Sequence, residues 1–291
     1  MNLWKHYHIA QTVDDALRTL TAAPGEAKII GGGTDLLLDL QQGRHPPVHT
    51  LVDVTQIPTL TALKIREGEL FIGAGVPHRK IAASPLVQEH AQALAEACGL
   101  IGGPQVRNTA TLGGNVAHAL PAADGTIALM TLGAQAQVGR LDGHRRVPLG
   151  ELFRGPGKTA LAEDELLVGF YLPLRGAGEA SAFKRVMRPQ GVAIAILNLG
   201  AWLRRAGDRI AEARIAVGPS GPVPRRMTAA EAELRGQMLD DDTLQRAYHA
   251  ILDEANFRTS RHRATKEYRQ HVVGVLLRDV LTTAFERAGA G

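Results

Sequence analysis

The feature that most constrains this chain is a pair of glycine-rich segments about eighty residues apart. The first, Gly31-Gly32-Gly33-Thr34-Asp35, follows directly on the short strand signal Lys28-Ile29-Ile30. The second is Thr111-Leu112-Gly113-Gly114-Asn115. Three consecutive glycines at a strand end let the backbone approach a bulky anion to within about 3 Å, where any Cβ would intrude. Converging backbone N–H groups, helped by hydroxyl and amide donors, can hold a pyrophosphate without lysine or arginine. Thr34 adds a hydroxyl to the first segment. Thr109, Thr111 and Asn115 add donors to the second, which reads as a second nest of backbone N–H groups. Together the two segments predict a two-walled clamp for a dinucleotide.

Other glycine clusters fail the same scrutiny. Gly73-Ala74-Gly75 has His78 where a Rossmann fingerprint needs its third glycine. Gly155-Pro156-Gly157-Lys158-Thr159 ends like a P-loop, yet Leu152 occupies the position of that motif's first glycine. It reads as a turn.

Around these segments the periodicity is mixed. Thr12 caps a helix whose first turn carries Asp14 and Asp15, and whose apolar stripe is Ala16, Leu17 and Leu20. Pro24-Gly25 ends it. Leu51 to Val54 and Glu69 to Ile72 read as strands, and Ile81 to Leu100 as helix. Gly102 to Asp124 reads as a long functional loop. Short strands follow between Ala134 and Leu174. A boundary falls near Arg175 to Glu179. Beyond it, Ser181 to Lys184, Ala193 to Trp202 and Ile210 to Val217 predict a three-stranded antiparallel meander with its last turn at Arg204 to Asp208. Helices follow over Thr228 to Leu234, Asp241 to Ala255 and Tyr268 to Ala288. The fold class is α+β.

Composition excludes several functions. Aromatic residues make up 4% of the chain and the net charge is +4, with basic residues scattered, so a nucleic-acid surface is not expected. The single cysteine, Cys98, precludes an intrachain disulfide and a conventional iron–sulfur cluster, and fits a reducing cytoplasm. It reads as a small core residue. No His-Glu-x-x-His spacing suggests a metal site, and His262 and His271 read as solvated helix residues. Met1 to Ala10 does not resemble a secretory signal, and the apolar run Val192 to Leu203 contains Asn198 and is too short to span a bilayer.

At the two glycine segments the chain resembles the FAD-binding medium subunits of the molybdenum hydroxylases, the xanthine dehydrogenase and carbon monoxide dehydrogenase family. The matching motifs are Ile29-Ile30-Gly31-Gly32-Gly33-Thr34-Asp35-Leu36, Thr109 to Ala117, and Pro121-Ala122-Ala123-Asp124. Gly155 to Thr159, Asp164 to Leu167, Phe183-Lys184-Arg185, Val217-Gly218, Pro224-Arg225 and Glu231 to Gly236 support them. The resemblance implies a vanillyl-alcohol-oxidase-like (PCMH-type) FAD-binding domain over 1–175, with subdomains of about 1–56 and 57–175. A C-terminal domain over 176–291 would carry the three-stranded sheet and helices.

Carried over by position, Ile29, Ile30, Gly31, Gly32, Gly33, Thr34, Asp35 and Leu36 would line the pyrophosphate and ribityl chain. Ile101, Ala110, Thr111, Gly113, Gly114, Asn115 and Ala117 would form the second wall. Asp124 would contact the ribityl or flavin region, and Leu167 and Lys184 would sit near the isoalloxazine ring. Many relatives have Ala-Gly-Gly followed by His or Gln and Ser at the first loop. Backbone contacts should survive that departure, whereas Asp35, an acid beside a dianion, is expected to point away or order the loop.

The implied function is an electron relay. A molybdopterin-binding large subunit would hydroxylate substrate, an iron–sulfur small subunit would carry [2Fe–2S] clusters, and FAD here would pass electrons to NAD or another acceptor. The implied assembly is a dimer of heterotrimers with no membrane span. Two other readings stand beside it: a stand-alone flavin oxidase of the same fold, and a non-catalytic accessory protein.

Overall fold

The computed structural model describes residues 2–188, 194–261 and 263–290. The N-terminal unit alternates strand and helix: β1 (Trp4–Ile9), α1 (Val13–Ala22), β2 (Ala27–Ile30), α2 (Leu36–Gln41) and β3 (Val48–Asp53). Its three strands are parallel in the order β1-β3-β2. Thr12 caps α1, its hydroxyl accepting from Asp15 N at 3.0 Å, and Ala16 and Leu17 are buried beneath. Parallel strands need crossover connections. The turn from β2 into α2 begins one such crossover, and it carries the triple glycine.

The second unit opens with β4 (Leu63–Arg66) and β5 (Glu69–Gly73). Six short helices follow: α3 (His78–Ala82), α4 (Pro85–His90), α5 (Gln92–Leu100), α6 (Pro104–Thr109), α7 (Leu112–Ala117) and α8 (Asp124–Thr131). It closes with β6 (Gln135–Arg140), β7 (Gly143–Pro148), β8 (Phe153–Gly155), β9 (Lys158–Thr159) and β10 (Leu166–Pro173). Five of these strands form an antiparallel sheet in the order β4-β5-β10-β6-β7. Its helical face holds a large core that includes Leu70, Ile72, Leu94, Leu112, Val116, Ile127 and Phe170.

Two expectations for this unit are corrected. The stretch from 81 to 100 is three helices rather than one. Pro85 has no N–H to continue a helix and starts a new one, while Ala91, at φ −143° and ψ 50°, breaks the chain between α4 and α5. The expected loop from 102 to 124 contains α6 and α7. Pro104 occupies the first turn of α6, and Thr111 caps α7 by accepting from Gly114 N. Helices of six residues are too short to display a periodic apolar stripe.

The third unit consists of β11 (Glu179–Val186), β12 (Leu197–Ala206), β13 (Arg209–Gly218), β14 (Arg225–Arg226), α9 (Thr228–Leu234), α10 (Asp241–Glu254) and α11 (Lys266–Gly289). The sheet has four strands, not the three expected, because Arg225 and Arg226 pair with Val217 and Ala216 as a short edge strand. Ala193, the expected start of the second strand, lies outside the described residues. That strand runs on to Ala206, and the turn is Gly207-Asp208, with Gly207 at φ +63°.

This sheet is covered on both faces. Phe183, Trp202 and Ala216 join the core around α5 and α8. Ala182, Leu197, Leu199, Ala201 and Leu203 pack with α9, α10 and α11. The period-two alternation of a strand therefore decides which residues face the first two units. Among the described residues no helix is long and apolar enough to cross a membrane.

Cys98 is fully buried, as a core residue should be, and its Sγ lies 3.5 Å from Nδ1 of buried His78. Burial lowers the pKa of His78 to about 4 and raises that of the Cys98 thiol. The unfolded histidine titrates near 6.5, so the unfolded state binds more protons between pH 6.5 and 4, and stability falls as pH drops through that window. The full loss is about 3 kcal/mol. His78→Gln should flatten the acid limb of a denaturation-versus-pH series by that amount. An unchanged acid limb would contradict a buried neutral His78.

Candidate functional site

The first glycine segment has an unusual hydrogen-bond balance. Val54 N donates to Ile30 O at 3.0 Å and Leu37 N to Gly33 O at 3.0 Å, yet between these bonds the N–H groups of Gly31, Gly32, Gly33, Thr34 and Asp35 meet no acceptor among the described residues. The first four of these residues are half-buried. At half burial such donors are left to water or to a ligand. A run of them at a turn between a strand and a helix is an anion-binding concavity. Gly33 sits at φ +66°, a conformation that side-chain-bearing residues rarely adopt. Ile30 is buried, and Ile29, Leu36 and Leu37 pack against the cores of the first unit, which fixes both ends of the turn. Asp35 is exposed and its carboxylate lies 3.9 Å from His118 Nε2, so it points out of the turn and towards the second segment.

The second segment is built differently, and here the expected second nest of backbone donors is corrected. Leu112 N donates to Val76 O, Gly113 N to Ala74 O at 2.7 Å and Asn115 N to Thr111 O, while Gly114 N donates to the Thr111 hydroxyl. The segment docks on residues 74–76 and starts a capped helical turn, so its amides are engaged by the protein. Thr109 is withdrawn too, because its hydroxyl donates to Gln105 O at 3.3 Å. What remains is a smooth wall. Gly114 and Ala117, three apart on α7 and therefore on one side of it, are both exposed. A Cβ on Gly114 would meet only the Thr111 hydroxyl at 3.2 Å and otherwise enter open space. Thr111 accepts from Gly114 and keeps its own proton to donate. Asn115 Oδ1 accepts from Thr126 N at 3.1 Å, which leaves its amide nitrogen as a donor.

The two segments touch. A Cβ on Gly32 would overlap the Thr109 carbonyl oxygen and lie 2.8 Å from Ala110 Cα; one on Gly31 would lie 3.3 Å from Thr111 Oγ1. Glycine at position 32 is what lets the donor-rich turn close against Thr109-Ala110. The donor-rich turn therefore sits against the second segment, beside the exposed Gly114 and Ala117 of α7, and the space along this contact is the candidate groove. The hairpin of β8 and β9 borders it, with Gly157 at φ +70° in the turn and its N–H donating to Ala119 O at 3.1 Å. The P-loop imitation is thus a turn.

Ile101 ends α5, half-buried, with its carbonyl accepting from Arg107 at 3.1 Å. Asp124 begins α8 and is buried. Arg185 pairs with its carboxylate, and Asn198 Nδ2 donates to it at 2.6 Å. Burial raises the Asp124 pKa, and Arg185 and Asn198 oppose that rise. Leu167 is buried in the core that holds Leu112 and Val116, beneath α7. Lys184 lies apart. It is in register with Leu199, on the face towards α11, and its Nζ is 3.2 Å from Asp279 of that helix. Arg185 and Asn198 join the expected site residues through their bonds to Asp124. Their signals were the cation next to Lys184, necessarily on the opposite face, and a lone amide in an apolar run.

Residues 3–175 match the family described as the FAD binding domain in molybdopterin dehydrogenase, and residues 181–284 match the CO dehydrogenase flavoprotein C-terminal domain. The chain is 32% identical over 286 residues to a putative xanthine dehydrogenase FAD-binding subunit of Escherichia coli, covering 97% of each. It is 31% identical to the nicotine 6-hydroxylase medium subunit of Paenarthrobacter nicotinovorans, covering 97% of each. Among solved structures, a chain of carbon monoxide dehydrogenase from Hydrogenophaga pseudoflava superposes with TM-score 0.92 at 29% identity, with 97% of this chain and 98% of that one covered. A chain of quinoline 2-oxidoreductase from Pseudomonas putida superposes with TM-score 0.89 at 26% identity, with 98% of each covered. The α+β fold is therefore that of the carbon monoxide dehydrogenase medium subunit, and the chain belongs to the family of FAD-binding medium subunits of the molybdenum hydroxylases, oxidoreductases of the xanthine dehydrogenase type.

Proposed function

We propose that this chain is the flavin relay of a heterotrimeric molybdenum hydroxylase, arranged as a dimer of heterotrimers in the cytoplasm. An iron–sulfur small subunit with [2Fe–2S] clusters and a molybdopterin-binding large subunit would be its partners. Bound FAD would supply the redox chemistry, accepting electrons from the clusters and passing them to NAD or another acceptor, while the protein sets its place and surroundings. The observation that carries the reading is the row of free N–H groups from Gly31 to Asp35, in a turn that packs against Thr109 to Thr111 at the start of α7. That row would hold the pyrophosphate, with Ile29, Ile30 and Leu36 fixing the turn. Ala110, Thr111, Gly114, Asn115 and Ala117 would line the opposite wall, with Gly113 seating it on Ala74. Ile101 and Asp124 would border the flavin end, and Leu167 would support α7 from the core. Lys184, which the resemblance would put near the ring, faces α11 and pairs with Asp279, so it is left out of this reading of the site.

Affinity purification through a tag on this chain, from cells that produce it naturally, tests the reading. Two further polypeptides should co-purify, with FAD, iron, acid-labile sulfide and molybdenum in the eluate. A flavin-loaded chain that purifies alone and oxidises a small alcohol unaided would replace the relay by a stand-alone oxidase.

A further inference from the structure

Lys184 and Arg185 are adjacent cations on β11, and the register sends them to opposite sides of the sheet. Lys184 pairs with Leu199 and faces α11, whereas Arg185 pairs with Asn198 and faces α5 and α8. The Arg185 side chain is only 6% exposed. Its guanidinium donates to two separate segments, through Nη1 to the Asp124 carboxylate and through Nη2 to the Leu100 carbonyl. Its Nε is buried without a partner among the described residues.

Both segments adjoin the groove. Leu100 precedes Ile101. Asp124 precedes Gly125, where a Cβ would lie 2.9 Å from Asn115 Oδ1, and Thr126 N donates to that same oxygen. Asn198, opposite Arg185 on β12, holds the other Asp124 oxygen and also donates to Ala122 O at 3.1 Å. Two strands of the C-terminal sheet thus grip the border of the groove from behind.

We propose that Arg185, and not its neighbour Lys184, is a positioning residue for the flavin: its guanidinium fixes the spacing between the Leu100-Ile101 and Asn115-Asp124 borders of the groove. This rests on the FAD reading above. A planar guanidinium can hold two acceptors in a fixed relation, which an ammonium, a compact point charge, does not reproduce. The buried ion pair also makes the arrangement sensitive to loss of either member, because the other is left uncompensated. The C-terminal unit therefore contributes to the cofactor site through this cluster.

The test uses the full chain with FAD, comparing wild type with Arg185→Gln, Arg185→Lys and Lys184→Gln. Flavin affinity is read by fluorescence titration and the midpoint potential of the bound flavin by equilibration with reference dyes. Arg185→Gln should weaken FAD binding about tenfold or more. It should also weaken binding of the reduced form a further tenfold or so, a fall in potential of about 30 mV for a two-electron couple. Arg185→Lys keeps the charge but not the bridge, so affinity should fall severalfold with the potential near that of wild type. Lys184→Gln should stay within twofold of wild type, at an unchanged potential. Wild-type affinity and potential in Arg185→Lys and Arg185→Gln would overturn the proposal, as would a loss in Lys184→Gln equal to that in Arg185→Gln. If Arg185→Gln does not fold, Arg185→Lys set against Lys184→Gln decides alone. A wild-type chain that takes up no FAD would instead defeat the FAD reading itself.

Discussion

Gly114→Leu is expected to abolish FAD binding while leaving the protein as stable as before. Gly114 is exposed on α7, and its Cβ direction is free except for the Thr111 hydroxyl at 3.2 Å. A leucine there enters the groove and not the core. Within a helix, leucine is also favoured over glycine, by somewhat less than about 1 kcal/mol, so the apo protein should keep or slightly raise its Tm. The ligand fares differently. Displaced from the N–H row across the groove, the pyrophosphate would lose charge-assisted hydrogen bonds of about 1.5–3 kcal/mol each. Losing two of them weakens binding roughly a hundredfold to ten-thousandfold. Equilibrium dialysis with FAD, beside a thermal melt of the apo protein, reads both halves. Retained affinity would remove α7 from the site.

Gly32→Leu should lose FAD as completely, for another reason and with a different companion result. Its Cβ would overlap the Thr109 carbonyl and crowd Ala110 Cα, both backbone atoms that cannot swing aside. The two segments must separate even with no ligand present. Overpacking of this kind costs about 1–3 kcal/mol, occasionally more, and a Tm fall of roughly 2–12 °C follows at the 2–4 °C per kcal/mol of a large domain. The pair of variants thus separates a residue that lines the groove from one that holds its walls together. Equal thermal stability in both variants would contradict the contact between the segments.

Much of this was legible in the sequence because the signals were local. Thr12 and the two acids after it fix the start of α1, α9 spans the expected Thr228–Leu234, and the triple glycine sits at the end of a strand as its neighbours imply. What was illegible depended on contacts between distant residues. Whether the amides of 112–115 are free is decided by residues 74–76, far away in sequence, and the answer turned an expected nest into a capped helix. The breaks at Pro85 and Ala91 leave the apolar spacing of residues 81–100 intact, so the pattern alone reads as one helix. The two-residue strand β14 is too short for any pattern. The parity of β11 could have been read from Phe183, whose place in the core puts Arg185, two residues on, towards the groove and Lys184 away from it.

The arrangement also assigns separate tasks to the two glycine segments that resemblance alone treats alike. On this reading the first would supply backbone donors, and the second clearance at Gly114 with side-chain donors from Thr111 and Asn115. A ligand held in this way is recognised by its pyrophosphate at least as much as by its isoalloxazine ring, which makes FAD and FMN very unequal ligands even though they share that ring. Titrating the flavin-free full chain with FAD and with FMN, followed by flavin fluorescence, is therefore the most direct test. Stoichiometric uptake of FAD with FMN bound about a hundredfold more weakly, the worth of two charge-assisted hydrogen bonds at the low end, is the predicted result. No uptake of FAD, or equal affinity for the two flavins, would contradict a pyrophosphate site at Gly31 to Asp35.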